Sequence, residues 1–214
     1  MSETPIRIRV RYSKTGNLRF IGHLDTQRIF ERALRRSRLP LRYTQGFNKH
    51  IRLNLASALP LGFTSSAEML DFWLDEPIDA LEIREKLQNA LPSEIRIIDL
   101  SQVENSLPSL QGSLLSSEYQ IALPPDITKE EFKHKFEQIL AQPEIPVTRR
   151  DKTIDYKPLI LNYNFSGQDS VIDLELSSTP GGNARPDDIL QLLGIDPADC
   201  RIERIALHFS ELED

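Results

Sequence analysis

A single cysteine in 214 residues, Cys200, excludes an internal disulfide and a thiolate cluster for zinc or iron–sulfur. It follows Asp199 with no base nearby, so it is assigned the role of a partly buried thiol and nothing more. Long apolar runs are missing too. None approaches the roughly 20 residues needed to cross a bilayer, and the first residues lack the charged-then-apolar pattern of a secretory signal. A cytoplasmic protein without membrane attachment is therefore expected. Nowhere does the chain carry a Ser/His/Asp set, a glycine-rich nucleotide fingerprint or a paired-carboxylate motif above chance. No metal site and no cofactor are assigned.

What remains is an ordinary globular composition, 39% apolar, enough for one large domain or two small ones. Charge is its informative feature. The formal net value is −6, yet residues 1–60 hold 13 Lys/Arg against three acids, a net of +10, which leaves −16 to the remainder. Such a segment suits phosphate, nucleic acid or an acidic partner; alternatively, the acidic remainder lies against it and neutralises it.

Ile6-Arg7-Ile8-Arg9-Val10-Arg11-Tyr12 alternates strictly, which predicts a strand with Ile6, Ile8, Val10 and Tyr12 on a core face and Arg7, Arg9 and Arg11 on the other. A helix is expected from about Asp25, read as an N-terminal capping residue, to about Arg38. On its wheel Ile29, Phe30, Ala33 and Leu34 fall together, and Arg28, Arg32, Arg35 and Arg36 form an opposite basic ridge. Leu39–Tyr43 reads as a short return strand, and Leu53–Phe63 as strand plus loop. A doubly buried strand over Met69–Leu74, a helix marked by Ile83, Leu87 and Ala90, and a strand over Ile95–Leu100 complete a βαββαβ pattern.

Six serines with Pro108 and Gly112 between Ser101 and Ser117 have the composition of a mobile connection. The expected organisation is thus a basic half, 1–105, a linker, 106–117, and an acidic half, 118–214. The second half repeats the pattern: a Tyr119–Leu123 strand, a helix striped by Phe132, Phe136, Ile139 and Leu140, then Ile145-Pro146-Val147. Strands over Leu159–Asn164 and Val171–Leu176 flank a turn at Ser166–Asp169, and a helix over Pro186–Leu193 precedes a last strand over Arg201–Phe209. Placing Pro40 on Pro146 also superposes Phe30 on Phe136 and Leu34 on Leu140. An α+β fold of two tandem ferredoxin-like βαββαβ halves is the economical expectation.

His23, Asp25 and His50 are the candidates for acid/base work, set against a reading in which Asp25 and His23 only start the helix. Gly46-Phe47-Asn48-Lys49-His50 joins a flexible glycine, an aromatic ring and anion donors, a loop that suits a phosphate or a base, or else a plain connection with Phe47 packed beneath it. Arg185, before Pro186 at a helix start, is a further anion candidate alongside Gly46 and Asn48. The broader candidate surface for nucleic acid is Arg7, Arg9, Arg11, Arg28, Arg32, Arg35, Arg36, Lys49 and Arg52. The first strand lacks the aromatic pair of an RNA-recognition sheet.

Phe20-Ile21-Gly22-His23-Leu24-Asp25, Arg32-Ala33-Leu34-Arg35-Arg36, Tyr43-Thr44-Gln45-Gly46-Phe47-Asn48 and Leu59-Pro60-Leu61-Gly62 together resemble a bacterial family of radical-SAM-associated proteins, domain of unknown function 2344. The resemblance is strongest over residues 6–75 and extends to Ala184-Arg185-Pro186 and the closing Arg201–Leu207 strand. Where the family has Pro after Gly-Phe-Asn, Lys49 stands here, and Ile51 replaces the next one. The family carries no defined activity. The resemblance implies an accessory or substrate-presenting role beside a radical-SAM enzyme, and because CxxxCxxC is missing, the cluster would belong to that partner. Three functions are carried forward: an accessory module binding RNA or a ribonucleoprotein, an RNA-acting nuclease or modifying enzyme using His23 and His50, and a module for an acidic protein partner.

Overall fold

The computed structural model describes residues 4–149, 151–165, 171–179 and 181–210. The chain is mixed α+β with mostly antiparallel sheet, and it divides into two compact units, residues 1–114 with 209–214, and residues 115–208.

The first unit runs β1 (Ile6–Lys14), a 3-10 turn (Gly16–Phe20), α1 (His23–Ser37), β2 (Leu53–Leu55), β3 (Thr64–Leu74), α2 (Ala80–Ala90), β4 (Ile95–Val103) and the short α3 (Leu110–Ser113). Its strands lie in the order β2-β3-β1-β4, each antiparallel to its neighbours. The alternation of β1 sends Ile8, Val10 and Tyr12 into the core, and the apolar stripe of α1 puts Phe30, Ala33 and Leu34 there as well. Tyr12 meets Phe30 edge-on at 4.7 Å between ring centroids. Asp79 caps α2 by accepting from the backbone of Leu81 and Glu82, and Ile83 and Leu87 close the core from that helix.

Leu39–Tyr43 is not a strand. It makes only single bridges, Leu41 to Leu74 and Tyr43 to Ile51. Pro40 has no N–H to give a ladder. Around Leu41 the segment touches the end of β3, Arg42 N–H to the Trp73 carbonyl and Asp75 N–H to the Pro40 carbonyl, both at 2.8 Å. Beyond that it turns on itself, Thr44 N–H to the His50 carbonyl at 2.8 Å and Arg52 N–H to the Arg42 carbonyl at 2.9 Å, so the added strand forms later, at β2. The serine-rich segment also differs from a mobile connection. Ser109 caps α3, and Ser113, Ser116 and Ser117 are buried, the last two inside the following strand.

The second unit runs β5 (Leu114–Ala122), α4 (Lys129–Leu140), β6 (Pro146–Arg149), β7 (Lys152–Asp155), a 3-10 turn (Lys157–Leu159), β8 (Ile160–Asn164), β9 (Val171–Thr179), β10 (Gly182–Asn183), α5 (Pro186–Leu192), a 3-10 turn (Pro197–Asp199) and β11 (Arg201–Phe209). Its strand order is β10-β9-β5-β11, with β8 also on β9, and β6 and β7 form a separate hairpin. Phe136 is fully buried like Phe30, while Leu140 is half-buried where Leu34 is fully so. The Ser166–Asp169 turn lies outside the described residues.

Candidate nucleic-acid interface

The basic face of β1 is mostly closed. Arg7 and Arg9 are 4% and 6% exposed, and both surround Asp71 on β3, itself fully buried. Arg9 Nε donates to Asp71 Oδ1 at 2.9 Å and its Nη2 to Oδ2 at 3.0 Å; Arg7 Nε and Nη2 donate to Oδ2 at 2.9 and 2.5 Å. Arg7 also donates to the carbonyls of Leu107 and Pro108, at 2.7 and 2.8 Å. The expectation of three arginines open to a ligand is thus corrected: two carry a structural ion cluster, and only Arg11 is exposed. The overlooked signal is Asp71 itself, a carboxylate inside an apolar strand, which needs a buried cation.

Beside this cluster Arg52 and Arg7 face the ring of Trp73, at 4.1 and 5.6 Å from its centroid, and the indole N–H donates to Asn105 Oδ1 at 3.0 Å. Arg52 remains exposed, but partial burial, then the neighbouring charges of Arg42 and Arg7, lower its pKa. Arg42 is answered by Asp75 at 2.7 Å.

The ridge of α1 is open. Arg28, Arg32, Arg35 and Arg36 are all exposed, because the stripe that buries Phe30, Ala33 and Leu34 turns them outward. Arg28 pairs with Asp25 at 2.9 Å, an exposed contact worth little in water, and Arg36 donates to the Ala90 carbonyl. Arg32 and Arg35 have no hydrogen-bond or ion-pair partner among the described residues. Arg32 and Arg36 also line an open groove of about 660 Å³ between α1 and α2.

Asp25 does not cap α1. The cap position is Gly22, with no side-chain hydrogen bond, and Asp25 sits in the first turn, where a carboxylate favours the positive end of the helix dipole. His23 is the first helical residue and half-buried. His50 is exposed; its backbone N–H donates to Thr44 Oγ1 at 3.1 Å, and its ring has no partner among the described residues. Nothing there orients it as a base. No group of three or more His, Cys, Asp or Glu able to hold a metal occurs among the described residues.

The Gly46–His50 loop stands out from the surface. Gly46 has φ 137°, a backbone state that glycine alone adopts easily, and Phe47 is wholly exposed rather than packed beneath. Asn48 and Lys49 are exposed beside it. Arg185, by contrast, is half-buried and already paired, its Nε donating to Asp187 Oδ1 at 2.9 Å, so it is not an open anion site. Cys200 is half-buried; burial, then Asp199 and Asp196, push its thiol up to about 11, and it stays protonated at neutral pH.

Besides Asp71, two residues of the groove escaped the sequence reading. Lys86 and Asn89 of α2 line the groove beside Arg32 and Arg36, and only the packing of the helices brings them there. No helix among the described residues is long and apolar enough to cross a membrane. A family model described as an uncharacterized protein conserved in bacteria, DUF2344, matches residues 7–186. No curated protein matches the chain.

Proposed function

We propose that this chain, which belongs to the bacterial DUF2344 family, is an accessory module without catalysis of its own, binding RNA or a ribonucleoprotein through the outer face of α1. The observation that carries the reading is the ridge of Arg28, Arg32, Arg35 and Arg36, all exposed, two of them unpartnered, on a segment of net charge +10. Phosphates reward several guanidiniums on one face without demanding a spacing, and the release of their counterions supplies the affinity. Arg11, Lys49 and Arg52 are exposed as well, but Arg11 lies on the sheet face away from α1 and Arg52 beside Arg7 over Trp73, so the reading rests on the α1 ridge. In this reading the module works in the cytoplasm beside a radical-SAM enzyme that modifies the bound substrate, the cluster being held by that enzyme.

We read the two units as tandem ferredoxin-like repeats. The support is their matching order: β2-β3-β1-β4 in the first and β8-β9-β5-β11 in the second, each the second, third, first and fourth main strand of its unit. The fold by itself carries no function.

The test is binding of tRNA and rRNA fragments to the intact protein at low and moderate salt, beside a variant with Arg28, Arg32, Arg35 and Arg36 all changed to Ala. Saturable binding that weakens with salt and is lost in the variant supports the reading. No binding at low salt overturns it, and an acidic protein partner then takes its place.

A further inference from the structure

The groove between α1 and α2 joins a cationic side to an apolar floor. One side is cationic, with Arg32 and Arg36 from α1 and Lys86 from α2; the floor is apolar, with Leu18, Ile29 and Leu91. No carboxylate lines it. Each cation is available. Arg32 has no partner among the described residues. Arg36 spends one of its five N–H donors on the Ala90 carbonyl. Lys86 pairs with Glu82 at 2.6 Å, but both side chains are about half exposed, and such a pair gives way readily.

A purely electrostatic phosphate surface would not need that floor. The groove is open, but its volume of about 660 Å³ is on the scale of a small-ligand site, and it sets apolar side chains beside three cations. Asn89 adds an amide able to donate to or accept from a base edge. A double helix presents only its phosphates and groove edges to such a cleft, whereas an unpaired nucleotide can lay its base on Leu18, Ile29 and Leu91 and its phosphate among Arg32, Arg36 and Lys86.

We infer that the groove is a subsite for one unpaired nucleotide, so that the ligand of the basic face is single-stranded RNA, not duplex. This rests on the RNA reading of the α1 ridge and narrows it. The chemistry of the lining selects a base with an adjoining phosphate.

The experiment compares the intact protein's affinity for a 12-nucleotide single strand, the same strand with every base removed, and a duplex of equal length, at one salt concentration. The expected result is that the abasic strand and the duplex each bind several-fold more weakly than the intact strand, because neither lays a base on the apolar floor. Lys86→Glu, at an exposed position, should weaken the single strand and erase its advantage. If all three ligands bind alike, and the four-arginine variant loses all three, the ridge still binds phosphate and the subsite is overturned. If no RNA binds but an acidic peptide does, the RNA reading itself falls, and the subsite with it.

Discussion

Arg9 and Asp71 stand directly opposite each other on β1 and β3, and Arg9 Nε donates to Asp71 Oδ1 at 2.9 Å inside the sheet. Arg7, the diagonal neighbour, places Nη2 2.5 Å from the same carboxylate. One buried anion thus serves two buried cations, and the Leu107 and Pro108 carbonyls accept from the Arg7 guanidinium as well. Removing the anion leaves both guanidiniums uncompensated. Asp71→Asn should therefore cost about 3–5 kcal/mol of stability, read by urea denaturation. Replacing all three by apolar residues of similar size, Arg7→Met, Arg9→Met and Asp71→Leu, should recover most of that loss. A single substitution no more harmful than the triple would refute the account.

The same strand shows what periodicity can and cannot convey. Alternation located β1 and its core face, Ile8, Val10 and Tyr12, and the stripe of α1 predicted both Phe30 in the core and the arginine ridge outside. The span of β11, Arg201–Phe209, was legible from the same kind of pattern. Alternation says that Arg7 and Arg9 share a face; it cannot say what covers that face. The cover comes from residues about 100 positions later in sequence, Leu107 and Pro108, and the counter-charge from Asp71. Pairing at that separation has no local signature. The groove failed to appear for the same reason, since Arg32 and Lys86 meet only through the packing of two helices. For Arg185 the partner is local, since Asp187 stands two residues away in sequence and accepts from its Nε.

Tyr156 is fully buried, and its hydroxyl donates to Asp188, with Arg149 Nη1 at 3.4 Å. Burial, then the hydrogen bond and charge of Asp188, push its pKa up to about 12, against about 10 for a tyrosine in the unfolded chain. The folded value is raised, so the unfolded state releases its proton first. Stability from this group is complete below pH 10 and is lost as pH rises from about 10 to about 12. Denaturation midpoints measured across that window should fall less steeply in Tyr156→Phe than in the parent chain. Equal slopes would mean that this hydroxyl is not the titrating group.

The N-terminus of α4 carries a reciprocal cap. Thr128 accepts from the Glu131 backbone at 3.2 Å, and Glu131 Oε2 accepts from the Thr128 backbone at 3.0 Å. Thr128→Ala should cost about 1 kcal/mol in denaturation experiments. The Thr128 backbone and hydroxyl donors hold the Glu131 pKa below the usual carboxylate value, so its contribution is present above that value and lost as pH falls through the lowered one. Glu131→Gln, which cannot titrate, should therefore flatten the acid limb of the stability profile; an unchanged limb would mean that this carboxylate is not the titrating group.

Phe47 has no packing to lose, since its side chain is wholly exposed on the Gly46–His50 loop. Phe47→Ser should therefore leave stability within about 0.5 kcal/mol of the parent. Its effect should fall on binding. An exposed ring beside Lys49 offers a face on which a base can stack, a contact worth about 1–3 kcal/mol and carrying no charge. Loss of the ring should lower affinity for single-stranded RNA without altering the dependence on salt, whereas Lys49→Ala should reduce the salt slope by about one phosphate's share. The two substitutions thus separate stacking from ion pairing on the same loop. If Phe47→Ser leaves RNA affinity unchanged while the α1 variant abolishes it, the loop lies outside the RNA path and the exposed ring serves another partner.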